Sequence, residues 1–272
     1  ARTTADGKFQ LRYRRQPDSE SVFFVSALHA GIAYFSPALD MDTGAASERT
    51  SVDLTVYDTT SVPLPIDVAS RHIIVSGAVG RSGREVTEVF ILVNSSDRTR
   101  VAGSDSATFD VALPTDARDV RMGDGDIGPD AAIISTGRLS ITAPLAPGTK
   151  RFSVSYRLDQ SGSALEFGRD RPTAFVEILV ADSTASISGA AVREEAPVSL
   201  SGRTFRRFVG DDVGVGGPIR ITVTVDSGLT LATPIAFVVV AAVVMAIALG
   251  VSLRRKTTAD HEAALAPVAH RE

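Results

Sequence analysis

From Leu229 to Leu253 the chain carries no charged residue, and Arg254, Arg255 and Lys256 follow at once. From residue 234 onward nearly every position in that run is apolar. About 20 apolar residues, rising about 1.5 Å each in a helix, match a hydrocarbon core of about 30 Å. Lipid offers no hydrogen-bond partner to bare backbone, so such a run crosses as a helix, which satisfies its own N–H and C=O groups. A basic cluster at one end marks the cytoplasmic side. The sequence therefore predicts one transmembrane α-helix, residues 229–253, with residues 1–228 outside and a tail, residues 254–272, inside. Arg254, Arg255 and Lys256 are its cytoplasmic anchor, placed to rest on anionic headgroups. No ionisable group lies in the span, so the helix itself conducts neither protons nor ions. Ala242, Ala246 and Gly250 recur every four residues. They form a smooth stripe on which another membrane helix can approach closely. The tail is too short to fold as a signalling domain.

Outside the span and tail, acidic residues outnumber basic ones, 29 to 24. A nucleic-acid partner would require a basic face, so that class is excluded. The chain has no cysteine. This excludes cysteine-ligated zinc, iron–sulfur clusters and covalently attached haem. It fits a bacterial exported protein stabilised by its core rather than by disulfides. The expected location is the bacterial inner membrane, with the N-terminal part periplasmic. The first residue is Ala1, and no signal-peptide pattern opens the chain. Residues that precede Ala1 in the exported precursor are therefore expected.

Strand signals dominate the part outside the membrane. Residues 51–59 read S-V-D-L-T-V-Y-D-T, with Val52, Leu54 and Val56 alternating against polar neighbours. Similar short runs rich in Val, Ile, Thr or Phe cover residues 86–93, 108–113, 138–142, 151–158, 174–180 and 219–225. Turn residues bound them, as in residues 94–97, 144–148 and 214–218. Val154, Tyr156 and Leu158 alternate with Ser153, Ser155 and Arg157, the pattern of a sheet with one wet face. No sustained 3.6-residue period appears before the membrane run. The expected fold class is an all-β ectodomain of tandem β-sandwich-like units. The expected division is a first sandwich over residues 1–62 and a linker over 63–69, where Pro63 and Pro65 stiffen the chain. A second sandwich spans residues 70–181, and a β-rich membrane-proximal segment spans 182–228.

Residues 3–11 read T-T-A-D-G-K-F-Q-L. Together with F-F-V-S-A at 23–27 and Y-F-S-P at 34–37, they resemble the carboxypeptidase regulatory-like family of transthyretin-like sandwiches. Asp6 and Gly7 supply a hairpin turn, and Phe9 and Leu11 are expected to point one way into a core. The resemblance implies a non-catalytic module entered partway through. R-H-I-I-V at 71–75, N-S-S-D-R-T at 94–99 and G-D-G-D-I-G-P-D at 123–130 resemble a further group. These are bacterial membrane-anchored proteins associated with cytochrome c maturation, and this resemblance transfers no active site.

Asp124, Asp126 and Asp130 are the calcium candidate, since three carboxylates on a glycine-rich loop can offer oxygens to that ion. The loop departs from an EF-hand: Gly128 stands at a ligand position and Ser135 where a bidentate Glu is required. The competing reading is a turn whose Asp side chains cap backbone N–H groups. His29 and His72 would have to converge with a third ligand to hold zinc or haem. No G-x-S-x-G elbow, H-E-x-x-H helix or P-loop occurs. Ser82 in G-R-S-G lacks the elbow spacing. No cofactor and no catalytic residue is therefore expected.

The expected function is that of an accessory subunit docked on a larger integral membrane complex. An electron-transfer complex with a c-type cytochrome, respiratory or photosynthetic, fits the topology and the second resemblance. The alternatives are a cytochrome c maturation or assembly factor, and a carbohydrate-binding module. A sugar binder needs exposed aromatic platforms, and the chain has no Trp and four Tyr.

Overall fold

The computed structural model describes residues 2–12, 22–39, 51–77, 83–103, 107–158 and 164–223, all of them in strands, turns and loops apart from one 3-10 turn. The predicted transmembrane helix, its stripe Ala242, Ala246 and Gly250, and the anchor Arg254, Arg255 and Lys256 lie outside these residues. Among those described, no helix is long and apolar enough to cross a membrane. The chain forms two compact units, Ala1–Asp58 and Thr59–Glu272.

Among the described residues of the first unit, strands β1 (Ser26–His29) and β2 (Ile32–Phe35) pair antiparallel as a hairpin. Ala30 (φ 48°) and Gly31 (φ 80°) form its two-residue turn. That left-handed pair matches the right-handed twist of the strands it joins. The expected turn at Asp6-Gly7 is present: Gly7 has φ 77°, and its N–H donates to the Thr4 carbonyl at 3.0 Å. The expected strand after it is not. Leu11 is 51% exposed and does not enter a core. Residues 51–58 also form no strand, although they alternate. Periodicity requires a neighbour to become a ladder, and this segment instead meets the hairpin through side chains. The Tyr34 hydroxyl donates to the Tyr57 carbonyl at 2.9 Å, and the two rings lie 6.0 Å apart.

The second unit opens with β3 (Thr59–Thr60), β4 (Asp67–Val75), β5 (Arg84–Asn94), β6 (Thr99–Arg100), β7 (Phe109–Ala112) and β8 (Arg118–Met122). A 3-10 turn at Pro129–Ala131 leads into β9 (Ala132–Ser135), β10 (Arg138–Ile141), β11 (Gly148–Leu158) and β12 (Ala164–Arg169). Then come β13 (Thr173–Val180), β14 (Ser186–Ser188), β15 (Arg193–Leu200), β16 (Arg203–Val213) and β17 (Gly216–Thr222). Seven strands make one sheet in the order β15-β16-β13-β4-β5-β11-β8. Every pair in it is antiparallel except β13 with β4. Two three-stranded sheets, β7-β10-β9 and β12-β17-β14, share its apolar core. Ile73, Val86, Phe90, Phe152, Val154, Val176 and Ile178 meet Phe109, Leu139, Ile141, Phe167, Ile219 and Ile221 there.

The composition break near Asp182 therefore does not separate two folding units. β16 pairs with β13, β17 pairs with β12, and Val213, Ile219, Ile221 and Val223 belong to the common core. Thr59 and Thr60 join the second unit by pairing with β6, so the second unit begins before Pro63 and Pro65.

Candidate functional site

Strand β4 reads D-V-A-S-R-H-I-I-V and delivers charge to both faces of the large sheet. A register shift between Val68 and Ser70 absorbs one extra residue. After it, Arg71, Ile73 and Val75 face the main core, while Ser70, His72 and Ile74 face the other side. Ile74 packs with Leu179 and Phe205 in a second, smaller apolar cluster.

On the core side, Glu88 of β5 is fully buried. Its Oε2 accepts from Arg71 Nε at 2.6 Å and its Oε1 accepts from the Tyr156 hydroxyl at 2.5 Å. Arg71 Nη1 donates to the Gly168 carbonyl at 2.5 Å, and the guanidinium stands 5.3 Å from the Phe90 ring centroid. Arg71 Nη2 also lies 2.6 Å from Glu88 Oε2 but makes no hydrogen bond, so that approach is an ion contact. Burial weakens the Arg71 cation, yet Glu88 beside it raises its pKa overall. Burial, followed by the Glu88 charge, pushes the Tyr156 phenol well above its ordinary range. Both Glu88 oxygens and the Tyr156 hydroxyl are hydrogen-bonded, and Arg71 is paired with its counter-charge, which is the condition for tolerating buried charge.

On the opposite face, Glu177 of β13 is the hub. Its Oε2 bonds His72 Nδ1 at 2.8 Å, and its Oε1 accepts from Arg207 Nε at 2.6 Å. Arg207 Nη1 continues to Glu195 Oε2 at 2.5 Å. The ionised Glu177 can only accept, so Nδ1 carries the proton. His72 Nε2 lies 3.1 Å from Ser70 Oγ. Hydroxyl, imidazole and carboxylate thus stand in the order of a nucleophile relay. All three groups are buried. β4 is an interior strand, so its N–H groups serve the ladders to β5 and β13 rather than a developing oxyanion. The network ties four strands together, β4, β13, β16 and β15, and satisfies a buried imidazole.

Burial would raise the Glu177 pKa, but the hydrogen bonds from His72 and Arg207 outweigh it and hold the group below its ordinary 4.5. A depressed carboxylate stabilises the fold above its unfolded value, and that stability is lost as pH falls through the folded value. Glu177→Gln is therefore expected to cost on the order of 2 kcal/mol near pH 7. Urea unfolding followed by circular dichroism should show the gap from wild type shrinking below about pH 4.5. A gap that widens on acidification would reverse the assignment.

The calcium candidate resolves differently for each residue. Asp126 Oδ2 accepts from the Arg151 N–H at 2.8 Å, and the Asp126 N–H donates to the Arg151 carbonyl at 2.7 Å. The Asp124 carbonyl accepts from Ser153 Oγ at 2.9 Å. These bonds clamp the loop onto β11, and Ile127 beneath it is buried. Gly125 lies so close that a Cβ there would sit 2.6 Å from the Arg151 carbonyl oxygen. The Asp124 and Asp130 side chains face solvent. Asp126 thus caps a backbone N–H as the turn-capping reading describes, and the Ser153 bond explains why Ser153, expected on a wet face, is only 1% exposed. Among the described residues no three His, Asp or Glu side chains group as metal ligands. His29 bonds Asp58 at 3.0 Å within the first unit.

Sequence reasoning missed Glu88, Glu177 and Arg207. The available signal was a charge inside an otherwise apolar strand run, as in V-T-E-V-F-I-L-V and A-F-V-E-I-L-V.

No protein-family profile and no curated protein matches this chain. Among solved structures it is similar to an M1 zinc metallopeptidase E323A mutant from Deinococcus radiodurans, bound to a Tyr-Ser-Ala substrate. That likeness has 10% identity and a TM-score of 0.38 over 58% of this chain and 42% of the other. It is also similar to native leukotriene A4 hydrolase from Saccharomyces cerevisiae, at 10% identity and a TM-score of 0.36 over 61% and 30%. The chain spans less than half the length of either protein, and likeness at this level carries no activity across.

Proposed function

We propose that the chain is a non-catalytic, single-span accessory subunit. It docks an extracytoplasmic β-rich domain onto a larger membrane protein complex that transfers electrons through a c-type cytochrome. The uncharged run over residues 229–253 with its basic flank carries this reading. Two features support it further. The buried ionisable groups of the second unit are occupied in holding strands together, and Ala242, Ala246 and Gly250 give the span a face suited to close packing.

The test is mild-detergent purification of the full chain through a C-terminal tag, with mass spectrometry and a visible spectrum of the co-purifying material. A stoichiometric partner with a haem spectrum is expected. Recovery of the chain alone, or of transient partners only, would sink the subunit reading and leave the maturation factor. Within such a complex, Ala246→Leu with Gly250→Leu should leave insertion intact and reduce retention. Val239→Leu with Val243→Leu adds bulk elsewhere and should retain wild-type recovery. Equal recovery of all three would remove the stripe from the interface.

A further inference from the structure

Strand β9 is an edge that the fold leaves undefended. It pairs with β10 on one side, and no described strand pairs with the other. Its four residues, A-I-I-S, carry no charge. Ile133 is 52% exposed and Ile134 is 45% exposed, on opposite faces of the sheet. Three other edges, β15, β8 and β7, are protected in familiar ways. β15 carries Arg193, Glu194, Glu195 and Pro197. β8 carries Arg118 and Arg121 around Asp119, whose φ of 51° breaks its regularity. On β7 the Asp110 carbonyl accepts from Arg171 Nε at 3.2 Å.

The backbone of β9 defines what it can accept. The Thr142 N–H donates to the Ala131 carbonyl at 2.8 Å, so residues 131, 133 and 135 turn toward β10. Ala132 and Ile134 consequently turn outward. The Ala132 N–H already donates to the Pro129 carbonyl. That leaves the N–H and C=O of Ile134 and the C=O of Ala132 facing away from the sheet. A donor and an acceptor on one residue are satisfied together by a two-fold copy of the same residue.

We propose that β9 pairs with β9 of a second copy of this chain, antiparallel, about a two-fold axis at Ile134. The two three-stranded sheets then become one sheet of six. Each Ile134 N–H donates to the other Ile134 carbonyl, and each Ala132 carbonyl faces the Thr136 N–H of the second copy. The Ile134 side chains stand directly opposite one another, and the Ile133 side chains meet diagonally on the other face. Charge selects the antiparallel direction. Asp130 precedes β9, and Arg138 follows its turn with a side chain 61% exposed and 3.4 Å from Asp110. The two-fold brings Asp130 of one copy toward Arg138 of the other, whereas a parallel pair would place Asp130 against itself. An interface of this size makes a weak, concentration-dependent dimer.

The chain contains no cysteine, so a single introduced thiol reports the geometry cleanly. Directly opposed residues in a hydrogen-bonded pair have Cα atoms about 5.5 Å apart, within disulfide reach. Full-length I134C in mild detergent should form a disulfide dimer under gentle oxidation at least about tenfold faster than V215C, because its thiols are held together rather than meeting by diffusion. Val215 is 62% exposed and lies between β16 and β17. Sedimentation equilibrium should show wild type moving toward dimer as concentration rises and Ile134→Lys remaining monomeric. Circular dichroism should show the same strand content in both. A wild type that stays monomeric throughout, equal oxidation rates for I134C and V215C, or a dimer that survives Ile134→Lys would each overturn the proposal.

Discussion

Glu88→Ala is expected to cost about 3–5 kcal/mol, the usual penalty for removing one partner of a buried ion pair. A domain whose whole stability is about 5–15 kcal/mol would be left marginal or unfolded. The size of the effect follows from what the substitution leaves behind. Arg71 would remain as a buried cation with the Gly168 carbonyl, and the Tyr156 hydroxyl would lose the acceptor 2.5 Å away. The same argument predicts a rescue. Arg71→Met, Glu88→Leu and Tyr156→Phe together remove the buried charges and the stranded hydroxyl while keeping most of the volume, and leave only the half-buried Gly168 carbonyl without its donor. This triple variant should recover most of the loss, since apolar replacement of a whole buried set is often neutral or stabilising. Urea unfolding midpoints by circular dichroism decide the matter. A triple variant as unstable as the single one would mean that shape, and not charge, governs this part of the core.

Phe152→Ala should be comparably severe, at about 3–5 kcal/mol for a buried aromatic removed without collapse of the site. Phe152 is fully buried and stands directly opposite Phe90 across the β5–β11 ladder. The rings are stacked, 5.0 Å between centroids and 11° from parallel. The cavity would open in the large sheet, beside the loop whose Gly125 packs so closely that a Cβ there would lie 2.8 Å from the Phe152 Cα. A double-mutant cycle with Phe90→Ala should give a coupling of about 0.5–1.5 kcal/mol beyond area burial. Additive losses would show that the two rings fill space independently.

Local pattern made the central strands legible. Runs of β-branched and aromatic residues over 86–93, 151–158 and 174–180 became β5, β11 and β13, because side chains that alternate across a pleat need no distant information to declare a face. The same rule failed over residues 51–58, where alternation found no neighbouring strand to bond. It placed β15 and β16, R-E-E-A-P-V-S-L and R-T-F-R-R-F-V-G-D-D-V, only within a β-rich segment over 182–228 and gave neither strand its bounds or its partner. Their charges are cross-strand pairs: Arg206 with Glu194, and Arg207 with Glu195. Nothing within either segment announces the other.

By itself the sequence determined that the described residues would fold as β-structure, where several turns fall, and that Val154, Tyr156 and Leu158 share one face of their strand. These are properties of neighbouring residues, set by backbone sterics and by the alternation of apolar with polar groups. Tertiary structure alone decided the sheet order, the parallel pairing of β4 with β13, and the fate of the buried charges. Glu88 and Glu177 would each be intolerable inside a protein alone. They become acceptable when Arg71 arrives from 17 residues away and His72 from 105. It also decided which strand ends the small sheet with its edge open, because an unpaired edge is defined by the neighbour it lacks.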